Sequence, residues 1–163
     1  MRNLSLLFIL VFLCSCTSEE KKAENIKLVE NYVLAVENLD YTAMESMLSD
    51  DYVGIGPSYG DSINKEQAVT SWKHNVENLY ESIDYDRSRN LAVIVPDGVN
   101  KGEWVANWAE LSIVYKNGNK KVKIWVNSNY LIENGKIKRS ITFYNEADVL
   151  EQLGYVFINP SNL

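Results

Sequence analysis

The fold is decided by one stretch, GEWVANWAELSIVYKNG at residues 102–118. Its side chains alternate, with Trp104 and Trp108 on one face and Val105 and Ala109 on the other. A period of two is typical of a β-strand, and Asn-Gly between patterned runs is the strongest short hairpin signal. The stretch therefore predicts a long strand that turns and pairs with the residues that follow it.

The neighbouring segments extend this hairpin into a meander. A return strand is predicted over 121–133, Asn134-Gly135 closes a second hairpin, and 136–145 forms the last strand. Upstream, the period of two begins at Ser82 and reaches the turn at Pro96-Asp97-Gly98. These segments predict an antiparallel sheet in the second half of the chain.

Three helices are predicted before the meander. Apolar residues recur at steps of three and four over 24–38, Met44 and Met47 mark a short second helix, and a third begins after Asn64. The pattern predicts the α+β class, with the helices on one face of the sheet. Several strands carry apolar residues on both faces. We therefore expect the uncovered face to pair with a second copy in a homodimer.

The N-terminal residues indicate a targeting signal. An apolar run too short to span a bilayer follows Arg2 and ends at Leu13-Cys14-Ser15-Cys16. This order resembles a bacterial lipoprotein signal, with cleavage before a lipidated Cys16. A plain secretory signal or a membrane-anchored N-terminus is the alternative. The expected divisions are a signal peptide at 1–15, the lipidated cysteine and a tether at 16–24, a domain at 25–155 and a tail at 156–163. The protein is then expected in the cell envelope, on the periplasmic or surface face of the outer membrane.

Composition and motif content narrow the range of possible partners and cofactors. The chain has 163 residues and a formal net charge of −6, which disfavours nucleic acid as a partner. Its 2 cysteines both lie in the signal segment and it has 1 histidine, so thiol chemistry and histidine-based metal sites have little support. We expect no metal and no cofactor, since phosphate-loop, CxxC and HExxH motifs are also absent from the sequence.

The order of elements resembles the nuclear transport factor 2-like superfamily, in its SnoaL-like branch. The local matches are the segments 31–40, 49–53, 62–67 and 133–137. The resemblance implies a cone-shaped, curved antiparallel sheet wrapped around three N-terminal helices, with a pocket at the open end. Members include isomerases, cyclases, dehydratases and binding modules, so the fold alone does not assign chemistry.

Ketosteroid isomerase is the nearest chemical template in that superfamily. Its helix-borne tyrosine corresponds to Tyr32, and one of its oxyanion donors falls near Asn127. Its general base precedes a proline, where this chain has Gly56 before Pro57. The resemblance therefore implies groups that hold a ligand oxygen, but not the base that isomerisation requires.

We predict that the domain binds a small, mostly apolar molecule inside the cone without catalysis. The expected lining residues are Tyr32, Trp72, Trp104, Trp108, Trp125 and Asn127. One alternative is an enzyme of isomerase, cyclase or dehydratase type with Asp51 or Glu110 as its carboxylate base. Another is a protein-interaction module whose cone is filled by side chains.

Overall fold

The computed structural model describes residues 18–159 and Ser161. The helices and strands in chain order are α1 Ser18–Glu37, α2 Tyr41–Met47, β1 Leu48–Ile55, β2 Ser62–Asn64, α3 Lys65–Asn78, β3 Tyr80–Val95, β4 Gly102–Tyr115, β5 Lys121–Glu133, β6 Lys136–Tyr144 and α4 Glu146–Gln152. A short 3₁₀ turn, Asn117–Asn119, joins β4 to β5. The predicted helices-then-strands order and the α+β class are confirmed.

Local capping explains where two helices begin. The Asn64 side chain accepts a hydrogen bond from the Gln67 backbone N–H, and the Gln67 side chain accepts one from the Asn64 backbone N–H, both at 2.9 Å. This reciprocal pair is a capping box and starts α3 where the sequence predicts it. Asp40 caps α2 by accepting from the Ala43 N–H at 2.9 Å.

The sheet is mixed, which corrects the prediction of a purely antiparallel sheet. Its strand order is β2-β1-β6-β5-β4-β3, and the predicted meander accounts for β3 to β6. Strand β1 lies parallel to β6, with Gly54 opposite Ser140. No tight turn links these two strands, because residues 56–135 intervene, so hairpin signals do not determine their direction.

The sheet curves around the helices without closing. A bulge interrupts the β3–β4 register between Asp86 and Arg89, and Arg87 adopts a left-handed φ of 52° there. Such bulges bend a strand and increase its twist. Helices α1 and α3 pack inside the curve and bury residues such as Val29 and Ala68. The cone expected from the resemblance is confirmed as the fold.

A fourth helix, α4, adds to the three that the sequence predicts. Asn145 caps it by accepting from the Asp148 N–H at 3.3 Å, and its Val149 is buried against the core. Gln152 accepts from the Lys123 N–H and donates to the Lys123 carbonyl, both at 2.9 Å. These contacts bind α4 to the first residues of β5.

The N-terminal boundary differs from the expected tether. Helix α1 begins at Ser18, so residues 18–24 are helical, and both Lys21 and Asn25 contact Glu103 on β4. The expected signal peptide at 1–15 and the expected lipidation site Cys16 lie outside the described residues. In the expected tail, residues 156–159 carry exposed side chains without helix or strand.

Candidate functional site

One face of each central strand looks into the cone. On β4 these inward residues are Val105, Asn107, Ala109, Leu111 and Ile113, and on β5 they are Val122, Ile124, Val126, Ser128, Tyr130 and Ile132. The cross-strand partners agree, since Ala109 faces Val126 and Val105 faces Tyr130. On these two strands the inward face therefore carries mostly small and aliphatic side chains, with one tyrosine.

The observed inward face of β4 and β5 corrects the expected placement of four site residues. Trp104, Trp108, Trp125 and Asn127 lie on the outer face of the sheet, not in the cone with Tyr32. The predicted alternation is right, but the face chosen as inward was wrong. Trp125 is 66% exposed and Trp108 43% exposed, whereas Trp104 is buried near the β3–β4 turn and donates to the Asn100 carbonyl at 2.7 Å.

Tyr32 and Trp72 do lie inside together. The Tyr32 ring meets the Tyr130 ring edge-on with centroids 5.7 Å apart. Burial, and then the neighbouring hydroxyls of Tyr52 and Tyr130, raise the pKa of Tyr32 well above its usual value, while a hydrogen bond with Trp72 lowers it. Tyr32 thus stays a neutral phenol at any ordinary pH and contributes a hydroxyl dipole rather than a charge.

Two further interior tyrosines were not predicted as site residues. Tyr85 has its pKa raised by burial and then by the nearby Tyr130 and Glu37. The Tyr52 hydroxyl lies 2.6 Å from the Ser140 hydroxyl, a buried pair linking β1 to β6. With Tyr32 and Tyr130, these residues fill the inner cone with phenols.

A row of polar side chains crosses the inner face of the sheet at one level. Asn90 on β3 faces Asn107 on β4, Asn107 faces Ser128 on β5, and Ser128 faces Thr142 on β6. The Asn107 Nδ2 donates to the Asn90 Oδ1 at 2.9 Å, and the Ser128 and Thr142 hydroxyls are 2.9 Å apart. The concave face therefore carries hydrogen-bonding groups across four strands.

Asn107 is the member of this row that has an unsatisfied hydrogen-bond acceptor. Its side chain is fully buried, and its Nδ2 also donates to the Ser88 hydroxyl at 2.8 Å and to the Arg89 carbonyl at 3.4 Å. Its Oδ1 is buried with no hydrogen-bond partner among the described residues. An unsatisfied buried acceptor costs about 1–3 kcal/mol, so this amide is a sensitive point of the interior.

Neither acid considered as a base reaches the interior. Asp51 is exposed on β1, where its hydrogen bond from Ser49 and its contact with Lys138 lower its pKa. Glu110 lies on the outer face in ion pairs with Arg87 at 3.7 Å and with Lys123. The expectation that either carboxylate lies in the cone is wrong, since both occupy outward positions of their strands.

Gly56 has a structural reason to be glycine. Its φ is 95°, and a Cβ at this position would lie 2.3 Å from the Thr142 carbonyl oxygen. Any side chain would force β1 and β6 apart. The position that carries the base in the ketosteroid isomerase template is therefore filled here by the backbone of β6.

A cavity of about 340 Å³, called the mouth cavity below, lies beside the end of β4. It is lined by Asn78, Leu79, Tyr115, Asn117, Lys120, Leu153, Gly154 and Tyr155. These residues come from the end of α3, the β4–β5 turn and the segment after α4. None of them was predicted as a site residue.

Aromatic contacts lead from this cavity to the interior. The Tyr115 and Tyr80 rings are 5.4 Å apart, and the Tyr80 and Trp72 rings are 6.5 Å apart. Trp72 in turn contacts Tyr32, which meets Tyr130. We call this series Tyr115, Tyr80, Trp72, Tyr32 and Tyr130 the aromatic column. Tyr32 and Trp72 come from helices, whereas Tyr80, Tyr115 and Tyr130 lie on strands, where the alternation contained the signal once the inward face was known.

Two kinds of special site are absent from residues 18–159 and Ser161. No three His, Cys, Asp or Glu side chains come together there as a metal site. Among the described helices, none is long and apolar enough to span a bilayer.

Comparisons with known proteins agree with this geometry. The profile of the SnoaL-like domain matches residues 26–98, which is less than half of the chain. No curated protein matches the sequence.

Solved structures match over most of the chain. An epoxide hydrolase from M. tuberculosis, described as LEH-like, is 19% identical, with 82% of this chain and 91% of that chain covered and a TM-score of 0.59. A protein of ketosteroid isomerase-like fold from Catenulispora acidiphila, in complex with trimethylamine, is 14% identical over 80% and 94%, with a TM-score of 0.62. An NTF2-like protein from Burkholderia xenovorans is 13% identical over 80% and 95%, with a TM-score of 0.60. At these identities the likeness shows the fold, which is nuclear transport factor 2-like.

Proposed function

We propose that this chain is a lipid-anchored, SnoaL-like binding domain that takes a small, mostly apolar molecule at the mouth of its cone without catalysing a reaction. The cavity of about 340 Å³ carries this proposal. Leu79, Tyr115 and Leu153 supply apolar surface, while Asn117 and Lys120 supply polar groups. Ligand sites typically combine an apolar lining with a few polar groups in a volume of roughly 300–1,000 Å³.

The aromatic column supports binding of an apolar body. Tyr115 belongs to both the cavity and the column, so a ligand in the mouth lies against the first ring of the series. Aromatic side chains offer large contact area and lose little conformational freedom on binding. The column also supplies phenol hydroxyls that pair with a hydroxyl or carbonyl group of the ligand.

The position of the carboxylates supports binding rather than catalysis. Asp51 and Glu110 lie outside the cone, and Gly56 excludes a side chain at the template's base position. The half-buried Glu37 accepts a hydrogen bond from the Tyr85 backbone N–H at 2.8 Å. That carboxylate is therefore engaged in joining α1 to β3.

Lipidation of Cys16 places the domain on a bacterial membrane, on the periplasmic or surface face of the outer membrane. The supporting feature is the order of residues 1–16, with a short apolar run followed by Leu13-Cys14-Ser15-Cys16. More than one acyl chain gives stable anchoring. The intact mass of protein purified from the envelope tests this directly.

A matched pair of leucine variants tests the ligand site. Leu79→Trp fills the cavity, whereas Leu34→Trp adds the same ring to an exposed position of α1 that does not line it. Native mass spectrometry of the detergent-released protein is expected to show a bound small molecule in the wild type and in Leu34→Trp. The bound mass should be lost in Leu79→Trp. No bound mass in the wild type, or equal occupancy in both variants, would contradict the proposal.

The outer face of the sheet supports a second candidate, self-association. Trp108, Asn127 and Phe143 form one row across β4, β5 and β6, and Trp125 lies two positions from Asn127 on the same face. Phe143 is 55% exposed, comparable with the two tryptophans. An apolar cluster of this kind on a solvent-exposed face is typical of an interaction site.

We propose that a second copy of this chain covers that face. The exposed parts of the three aromatic rings amount to roughly 300 Å² in each protomer. Two such faces contribute about 600 Å² toward the ~1,600 Å² of a standard interface. Glu110 is already paired with Arg87 and Lys123, so covering it leaves no unpaired charge.

Sedimentation equilibrium tests the homodimer. Trp125→Asp is expected to shift the protein to monomer, while Tyr59→Asp, at an exposed loop outside this face, is expected to leave the mass unchanged. A wild-type protein that is monomeric at micromolar concentration would contradict this candidate and leave the ligand proposal standing.

A further inference from the structure

The N-terminal end of α1 lies beside the turn between β3 and β4. Lys21 Nζ forms an ion pair with Glu103 Oε1 at 2.6 Å, and Asn25 Nδ2 donates to Glu103 Oε2 at 2.9 Å. A groove of about 280 Å³ between them is lined by residues that include Ser18, Ile94 and Trp104. Helix α1 is therefore fixed to this end of the sheet from its first turns.

The length of chain before α1 limits how far this end can stand from an anchor. Helix α1 begins at Ser18, two positions after Cys16. Two residues span at most about 7 Å even when fully extended. If Cys16 is lipidated, as the proposed function states, the end with Ser18 is held at the membrane surface.

The β3–β4 turn at the same end presents an apolar tip. Val99 is 95% exposed, and Ile94 at the end of β3 is also exposed. The charges nearby are mixed, with Lys21, Lys22 and Lys101 close to Glu19, Glu20 and Asp97 in the sequence. Contact with lipid at this end therefore depends on the acyl chains and the apolar tip rather than on anionic headgroups.

We propose that the domain stands on the bilayer by this end, with Val99 touching the lipid surface and the mouth cavity facing away from the membrane. Strand β4 connects the two ends, from Gly102 beside the tip to Tyr115 in the cavity wall. Fourteen residues of strand extend over about 40 Å. The cavity thus takes its ligand from the aqueous phase and not directly from the bilayer.

Two valines at opposite ends make a matched test. Val99 is 95% exposed at the tip, and Val156 is 81% exposed next to the cavity residue Tyr155. Val99→Cys and Val156→Cys each introduce a free thiol into a sequence whose cysteines are only Cys14 and Cys16. Each full-length variant is purified from the envelope, labelled with an environment-sensitive fluorophore and reconstituted into phosphatidylcholine vesicles.

Lipids that carry a spin label near the headgroup quench a fluorophore that lies close to the membrane. The quenching of the two labels therefore shows which end of the domain faces the bilayer. The label at position 99 is expected to be quenched at least threefold more strongly than the label at position 156, at both low and high salt. Intact-mass measurement on the same samples reports the acyl chains on Cys16. A lipidated protein whose two labels are quenched equally, or more strongly at 156, overturns the orientation alone. Absence of the acyl mass on Cys16 overturns both the proposed anchoring and this inference. The proposed ligand site is not affected by that result, because the leucine variants test it separately.

Discussion

Replacing Asn107 with aspartate changes one atom of a fully buried side chain and tests which face of β4 looks inward. The wild-type Nδ2 donates to the Asn90 Oδ1, the Ser88 hydroxyl and the Arg89 carbonyl. In Asn107→Asp the donor is replaced by a second acceptor. Only the Ser88 hydroxyl and a reoriented Asn90 amide can then offer a hydrogen.

The expected cost follows from these contacts. Each lost hydrogen bond contributes about 1 kcal/mol, and a buried charge without a partner costs about 3–5 kcal/mol. We therefore expect the free energy of unfolding at pH 7 to fall by about 3–5 kcal/mol. Single domains are stable by roughly 5–15 kcal/mol, so the variant approaches the limit of folding.

The cost should depend on pH in one direction. Burial raises the pKa of the introduced carboxyl in the folded state above its unfolded value of about 3.9. The unfolded state therefore loses its proton first as the pH rises, and the difference from wild type grows by about 1.4 kcal/mol per pH unit up to the folded pKa. Near pH 4 the variant should recover most of the wild-type stability.

Asn127→Asp is the matched control on the outer face. The Asn127 Oδ1 accepts from the Asn129 Nδ2 at 2.7 Å, an interaction that a carboxylate keeps. Its Nδ2 donates to the Asn107 carbonyl at 3.2 Å, so the expected loss is about 1 kcal/mol without a strong pH dependence. Urea unfolding at pH 4, 5, 6 and 7 measures both variants. Equal losses at the two positions would refute the assigned inward face.

Three other outcomes are expected. Gly56→Ala should lower the free energy of unfolding by at least about 2 kcal/mol, because its Cβ meets a β6 carbonyl oxygen at 2.3 Å; Gly60→Ala, with φ 89° and open space, isolates the backbone cost in thermal unfolding. Tyr52→Phe removes the 2.6 Å hydrogen bond to Ser140 and should cost about 1 kcal/mol, and a double-mutant cycle with Ser140→Ala should show coupling of similar size. Burial raises the pKa of Tyr130, so the unfolded state ionises first and urea midpoints should fall as the pH rises above about 10.

The elements that the sequence predicts correctly are those set by local chemistry. Asn64 and Gln67 cap α3 through contacts three residues apart, and Asn134 and Gly135 both take the positive φ that a tight hairpin needs. These signals depend on neighbours in the chain and are insensitive to the rest of the fold. The same holds for the alternation along β4 and β5.

Which face of those strands points inward depends on the curvature of the sheet. The alternation of residues in the sequence does not indicate that curvature. The concave side of a bent sheet has less room for each residue than the convex side. Val105 and Ala109 lie on that side, with Tyr130 directly opposite the small Val105, whereas Trp108 and Trp125 lie outside. The choice of Trp104, Trp108 and Trp125 as pocket residues therefore selected the outer face, and with it the wrong placement of Asn127.

Long-range pairing was the other unpredicted feature. Strand β1 joins β6 in parallel, and α4 seals the end of β5 through Val149 and Gln152. Such contacts connect segments that no turn relates. The mouth cavity, with Leu153 and Tyr155 in its wall, depends on them and was missed for that reason.

Because β6 is the last strand in chain order, the parallel pairing of β1 with β6 can form only after β6 is available. Leu48 lies opposite Ile137 and Gly54 opposite Ser140, while β2 offers β1 only a three-residue partner. Until residues 136–144 have been synthesised, β1 keeps one edge without hydrogen-bond partners. Contacts between such distant segments slow folding, and an unpaired edge attracts other chains. A chain truncated before β6 should therefore depend on chaperones in a way that the finished domain does not.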